Sequence, residues 1–124
     1  MSYSFNHVHL KANDPSKSAQ WYVDMFGAKP LGERDIGGAL LVTIQVGDVT
    51  MKISSPRPSE DLGPADAGPH YGLEHIAFDT NHLDQDLAHL KECGVQVQQT
   101  ASLGSGKIAF IEGPDGVRIE LMQL

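Results

Sequence analysis

The sequence predicts an α+β fold: two βαβββ modules forming a curved, cup-shaped mixed sheet with the helices on the outside. Three observations carry this reading. Stretches such as 5–12, 39–46, 49–54 and 117–123 alternate or are rich in β-formers, as half-buried strands do. Residues 15–26 and 82–93 instead space their apolar residues helically. The order of elements in the first half then recurs in the second. His7-Val-His-Leu10 falls on His75-Ile-Ala-Phe78, and Val49, Met51 and Ile53 fall on Val117, Ile119 and Leu121, all at one offset of 68 (75 − 7, 117 − 49).

Each element has a local cause. In 5–12, Val8, Leu10 and Ala12 point one way and His7, His9 and Lys11 the other. Asp14 suits a helix N-cap and Pro15 the first helical position. Ala19, Tyr22, Val23 and Phe26 form the apolar stripe, and Gly27 is a left-handed stop. A short strand over 29–34 leads to a Gly37-Gly38 turn. Ala39 to Val46 and Val49 to Ser54 are the next strands, joined at Gly47-Asp48. In the second half a strand spans Gly72 to Thr80. A helix opens at Asn81 or His82, buries Leu83, Leu87 and Leu90, and ends at Gly94. Strands follow at 95–100, 107–112 and 117–123, with turns at Ser105-Gly106 and Gly113-Pro-Asp-Gly116.

Between the halves lie residues 55–72, with four of the seven prolines and three glycines. This reads as a linker, giving one domain over 1–124 with module 1 at about 4–54 and module 2 at about 73–124. A chain of 124 residues with 40% hydrophobic residues can build a core without staples. The lone Cys93 excludes an internal disulfide framework and, before Gly94, reads as structural. No leader or spanning apolar run is present, so a soluble, cytoplasmic protein is expected, with no membrane partner. A net charge of −7 repels phosphate backbones and argues against a nucleic-acid partner. There is no phosphate-binding Gly-Lys-Ser/Thr loop, no Gly-x-Ser-x-Gly elbow and no Cys-x-x-Cys.

The chemistry points to three positions. His7, His75 and Glu120 each lie opposite the apolar, helix-facing set of their strand. Two neutral imidazoles and one carboxylate suit a divalent transition metal (Fe, Mn, Zn, Ni or Co) and leave positions open for water and substrate. His9 shares that face, as a substrate contact, a partner of the ligands, or a ligand in place of His7. Arg118 and Lys107 are candidates for binding an anionic substrate. The repeat places Lys52 where Glu120 stands in the second half (120 − 68). A lysine ligates only when deprotonated, so Lys52 is expected as a base or as an electrostatic partner of substrate oxygens. His70, in the linker, is expected to face solvent, and His82 and His89 to lie on the second helix without a site role.

The pattern His-Val-x-Leu-x-x-x-Asp, followed by Trp21-Tyr22 and Phe26-Gly27, resembles the vicinal oxygen chelate superfamily. So do Glu74-His-Ile-Ala-Phe78 and Gly113-Pro-Asp-Gly-Val-Arg-Ile-Glu-Leu121. This is the glyoxalase, fosfomycin-resistance, bleomycin-resistance and extradiol-dioxygenase group, and the likeness covers essentially the whole chain. The resemblance implies paired βαβββ modules, metal ligation by His7, His75 and Glu120, and often a homodimer whose site is completed between chains. Glyoxalase I and methylmalonyl-CoA epimerase commonly have a fourth acidic ligand where this chain has Lys52. Extradiol dioxygenases and fosfomycin-modifying enzymes use a His, His, Glu set. The expected function is a glyoxalase-like lyase or isomerase that chelates a small substrate through two adjacent oxygens and stabilises an enediolate-like intermediate. An Fe(II) ring-cleaving dioxygenase is the alternative enzyme, and a non-catalytic drug-binding protein the alternative class.

Overall fold

The structure, a computed structural model, describes residues 2–124. Backbone contacts divide the chain into two compact units, one ending at Gly63 and the other beginning at Pro64. Each contains one βαβββ module.

In the first unit, β1 (Val8–Lys11) leads into α1 (Pro15–Phe26), followed by β2 (Lys29–Ile36), β3 (Ala39–Val46) and β4 (Val49–Ser54). The sheet order is β1-β4-β3-β2. β1 runs parallel to β4, and the other pairs are antiparallel. The Asp14 carboxylate accepts from the Lys17 backbone N–H at 3.2 Å, and Gly27 closes the helix at φ 65°. That positive φ favours glycine. α1 lies on β3 and β4. It buries Ala19 and Tyr22 in the same core as Ile44, Met51 and Ile53, the last three fully inaccessible. β2 is an exposed edge strand; its charged residues and a register shift between Pro30 and Gly32 discourage further strand pairing there.

The second unit repeats this plan. β5 (Ile76–Asp79), α2 (Leu83–Glu92), β6 (Val97–Leu103), β7 (Gly106–Glu112) and β8 (Arg118–Gln123) form a sheet in the order β5-β8-β7-β6, with β5 parallel to β8. Leu83, Leu87 and Leu90 of α2 are buried, as are Ala109, Ile111, Ile119 and Leu121. The Gln123 side chain accepts from the Leu83 N–H at 2.7 Å, so β8 itself satisfies a free donor at the start of α2. The repeat survives at the level of register. Val8 faces Met51 and Leu10 faces Ile53 in one ladder; Ile76 faces Ile119 and Phe78 faces Leu121 in the other.

Three sequence expectations are corrected. The strands carrying the histidines start later than the alternation suggests, at Val8 and Ile76, so His7 and His75 sit just before their strands. β1 and β5 are edge strands with one neighbour each, and their ladders begin only at Val8–Met51 and Ile76–Ile119. Among the described residues, those ahead of these pairs have no ladder partner. The β6–β7 turn is Gly104-Ser105, with Gly104 at φ 60°, and Gly106 already belongs to β7. Lys107 shares parity with buried Ala109 and Ile111 and pairs with Asp84 of α2 at 2.7 Å, so it faces the helix. No helix among the described residues is long and apolar enough to cross a membrane.

Candidate functional site

In the second unit, β8 brings the chemistry together. Arg118 and Glu120 alternate with the core residues Ile119 and Leu121 and are themselves buried. Glu120 is flanked by Ala77 of β5 and Phe110 of β7. The small Ala77 leaves room above the strand, and His75 enters it. Its Nε2 lies 3.2 Å from Glu120 Oε1. The Phe110 ring meets the imidazole edge-on, with centroids 5.2 Å apart.

The far side of the imidazole is also held. His75 Nδ1 lies 2.9 Å from Glu74 Oε1. An ionised carboxylate only accepts, so Nδ1 is the donor. The same Glu74 oxygen accepts from Arg118 Nη1. The hydrogen bond from His75 holds the Glu74 carboxyl below the usual carboxylate range, and the Arg118 charge adds to this. Arg118 Cζ sits 3.9 Å from the Phe110 ring centroid, a cation–π contact. Arg118 is therefore committed to Glu74 and Phe110 rather than presented to solvent.

In the first unit, His7 Nδ1 lies 2.6 Å from Asn6 Oδ1. Asn6 thus stands to His7 as Glu74 stands to His75, at the repeat offset. The His7 and His9 rings are 6.2 Å apart. His9 Nε2 lies 2.7 Å from Oγ of the buried Ser54. Lys52 is the ladder partner of His9. Loss of hydration lowers the His9 pKa, and the positive charges of Lys11, His7, Lys52 and Arg57 lower it further. Lys11 is itself paired with Glu60 at 2.8 Å. The charged form of His9 is thus disfavoured among these cations, in a chain that is acidic as a whole.

The structure therefore brings His75 and Glu120 together in one unit and His7, His9 and Lys52 together in the other. Among the described residues, no group of three or more His, Cys, Asp and Glu side chains is arranged to hold a metal. The His75–Glu120 pair fits an ion nonetheless. Two donors each about 2.0–2.2 Å from one ion stand roughly 3.0–3.4 Å apart at right or tetrahedral angles, and the observed separation lies in that range. Sequence reasoning missed Glu74, Phe110 and Ser54. The recoverable signal was the polar residue immediately before each histidine, Asn6 and Glu74. It also read His70 as merely exposed. His70 is exposed, but its Nδ1 meets the Gly68 carbonyl at 2.9 Å and its Nε2 the Leu73 carbonyl at 2.8 Å. It clips the segment that leads into Glu74 and His75.

Comparison with known proteins identifies the family and the fold. The sequence model of the Glyoxalase/Bleomycin resistance protein/Dioxygenase superfamily matches residues 4–121. The chain is 30% identical to a lactoylglutathione lyase of Neisseria meningitidis serogroup A, over 94% of this chain and 88% of that protein. It is 27% identical to glyoxalase I of Saccharomyces cerevisiae, over 94% of this chain, and spans less than half, 44%, of the yeast protein's length. Among solved structures it is similar to a glyoxylase/bleomycin resistance protein/dioxygenase domain from Frankia sp. EAN1pec, with TM-score 0.79 and 21% identity, over 99% of this chain and 98% of that one. It is also similar to the fosfomycin resistance protein FosX of Listeria monocytogenes in complex with Mn(II) and sulfate, with TM-score 0.77 and 17% identity, over 100% and 94% of the chains. At such identity these structures speak for the fold. The chain belongs to the Glyoxalase/Bleomycin resistance protein/Dioxygenase superfamily, the vicinal oxygen chelate group.

Proposed function

We propose that this chain is a metal-dependent lyase or isomerase of the glyoxalase kind, acting on a small substrate that offers two adjacent oxygens. The observation that carries the reading is the His75–Glu120 pair, 3.2 Å apart, with His75 Nδ1 already engaged by Glu74. His75 Nε2 and Glu120 would hold a divalent ion, and His7 would complete the set, from the same chain or from a second copy in a homodimer. Such an ion supplies Lewis acidity to the two substrate oxygens. The names of the curated relatives favour lactoylglutathione-type chemistry over ring cleavage.

The first-unit residues then have distinct roles. His9, whose charged form is disfavoured first by loss of hydration and then by nearby positive charges, is suited to accept a proton from the substrate carbon beside a carbonyl. Lys52, beside it in the ladder, faces the negative charge that this transfer leaves on the substrate oxygens. A homodimer is supported by the exposed Tyr3, Phe5, Tyr71 and Leu73, which flank the two histidines in sequence.

Metal analysis of the purified protein, followed by parallel assays, tests the reading. Stoichiometric metal and metal-dependent turnover of lactoylglutathione, absent in His75→Ala, are expected. Catechol-dependent oxygen uptake under Fe(II), without lyase activity, would overturn the lyase reading in favour of a dioxygenase. Lack of stoichiometric metal, together with unchanged metal affinity in His75→Ala, would overturn the enzymatic reading altogether.

A further inference from the structure

Glu74 and Arg118 stand beside the proposed ligand pair without belonging to it. Arg118 is only 8% exposed, and its Nε has no hydrogen-bond partner among the described residues. Its guanidinium is spent on two contacts, the face of Phe110 and the carboxylate of Glu74. Burying an arginine for a partner that only decorated the surface would cost more than it returns. Glu74 passes the constraint on, through the oxygen that accepts from His75 Nδ1. Because Arg118 Nη1 holds that same oxygen in place as the acceptor, the ring proton is drawn to Nδ1. Nε2 is then left without that proton, so that it and the Glu120 carboxylate, 3.2 Å away, can act as two donors to one shared cation.

We propose that Glu74, clamped by Arg118, is a positioning residue that fixes the tautomer and ring plane of His75 for metal binding. The inference rests on the reading of His75 as a ligand. The repeat supplies an internal comparison. Asn6 meets His7 in the corresponding way but is neutral, and the position that corresponds to Arg118 is Thr50 (118 − 68), which has no charge. The His75 arm is charge-clamped and the His7 arm is not. Loss of Glu74 should therefore cost more than loss of Asn6.

Two measurements on the full chain test this: Co(II) affinity by competition with a chromophoric chelator, and nitrogen NMR of the His75 ring in metal-free protein. Partners that orient a ligating histidine typically contribute about 10–100-fold in metal affinity. Glu74→Ala is expected to lose that much, and the His75 ring to lose its Nδ1–H preference. Glu74→Gln, whose carbonyl can still accept, should restore most of the affinity. Arg118→Met, which keeps the volume of the stem, should weaken Co(II) binding in the same direction, and Asn6→Ala should weaken it less than Glu74→Ala. Circular dichroism checks that each variant is folded. Wild-type Co(II) affinity in Glu74→Ala, or an unchanged His75 tautomer, would overturn the proposal. A wild-type Arg118→Met would overturn the clamp. Unchanged affinity in His75→Ala overturns the ligand reading itself, whereas weakened His75→Ala beside unchanged Glu74→Ala overturns only this inference.

Discussion

His75 Nε2 stands 3.2 Å from Glu120 Oε1, although the ladder partner of Glu120 in β5 is Ala77. The histidine reaches the carboxylate from just before the strand, over a small residue. Glu120 is buried, and the side chain beside its carboxylate oxygen is the His75 imidazole. A buried carboxylate with one half-exposed partner is a costly arrangement for stability alone. Glu120→Gln is therefore expected to leave the thermal stability of the metal-free protein unchanged or raised. The same substitution should abolish the added stability conferred by Co(II). For the wild type that gain is about 2.7 kcal/mol when free metal is 100 times its dissociation constant. Thermal melts with and without Co(II) check both halves.

His70 makes a pH dependence of its own. Hydrogen bonds to the Gly68 and Leu73 carbonyls raise its pKa above the usual imidazole value of 6.5. Both ring nitrogens face acceptors, so the charged ring satisfies both and the neutral ring only one. The sign follows from linkage: the contribution to stability is complete below the unfolded value and is lost as pH rises through the folded one. Hydrogen exchange over residues 68–75 should accelerate as pH is raised through that window, after correction for intrinsic exchange. His70→Gln should remove the pH-dependent part.

Lys52 lowers the His9 pKa through its charge, after desolvation and the charges of Lys11 and His7. Lys52→Met should therefore move the His9 titration upward, as followed by proton–carbon NMR. An unmoved titration would mean that the ammonium does not sit beside the ring. If Lys52 also faces the substrate charge, the same variant should lose turnover with little change in metal affinity.

The core of the second unit depends on Ile119, which is fully buried on β8 between the two residues of the site strand. Ile119→Ala should cost about 2–5 kcal/mol in denaturant unfolding. Because Arg118 and Glu120 are its neighbours in sequence, the residual folded protein should also bind Co(II) more weakly. A loss below about 1 kcal/mol would mean that the sheet collapses around the gap.

Much of this architecture was legible in the chain. Strict patterning located α1, β3 and β4 at their observed limits, because a cap, a stop and two turns punctuate them. The repeat put His7 with His75 and Lys52 with Glu120, because register fixes which face each strand residue takes. What was not legible depended on contacts between distant residues. Arg118 could be placed on the Glu120 face by parity, but not recognised as the partner of Glu74. Lys107 could be read as an anion binder only until Asp84 was seen beside it. Ser54 gave no sign that it would be buried against His9. The starts of β1 and β5 were misplaced because the large apolar Phe5 and Leu73 suggest strand, whereas both are exposed and precede the first ladder pairs at Val8 and Ile76.

The most direct test is an anomalous-difference map from crystals grown with Mn(II) or Co(II). One strong peak is expected within about 2.0–2.3 Å of His75 Nε2 and a Glu120 carboxylate oxygen, with His7, of the same chain or of a second copy, as the third protein ligand. A peak that avoids His75 and Glu120, or no peak in crystals grown at millimolar metal, would contradict a metal centre built on this pair.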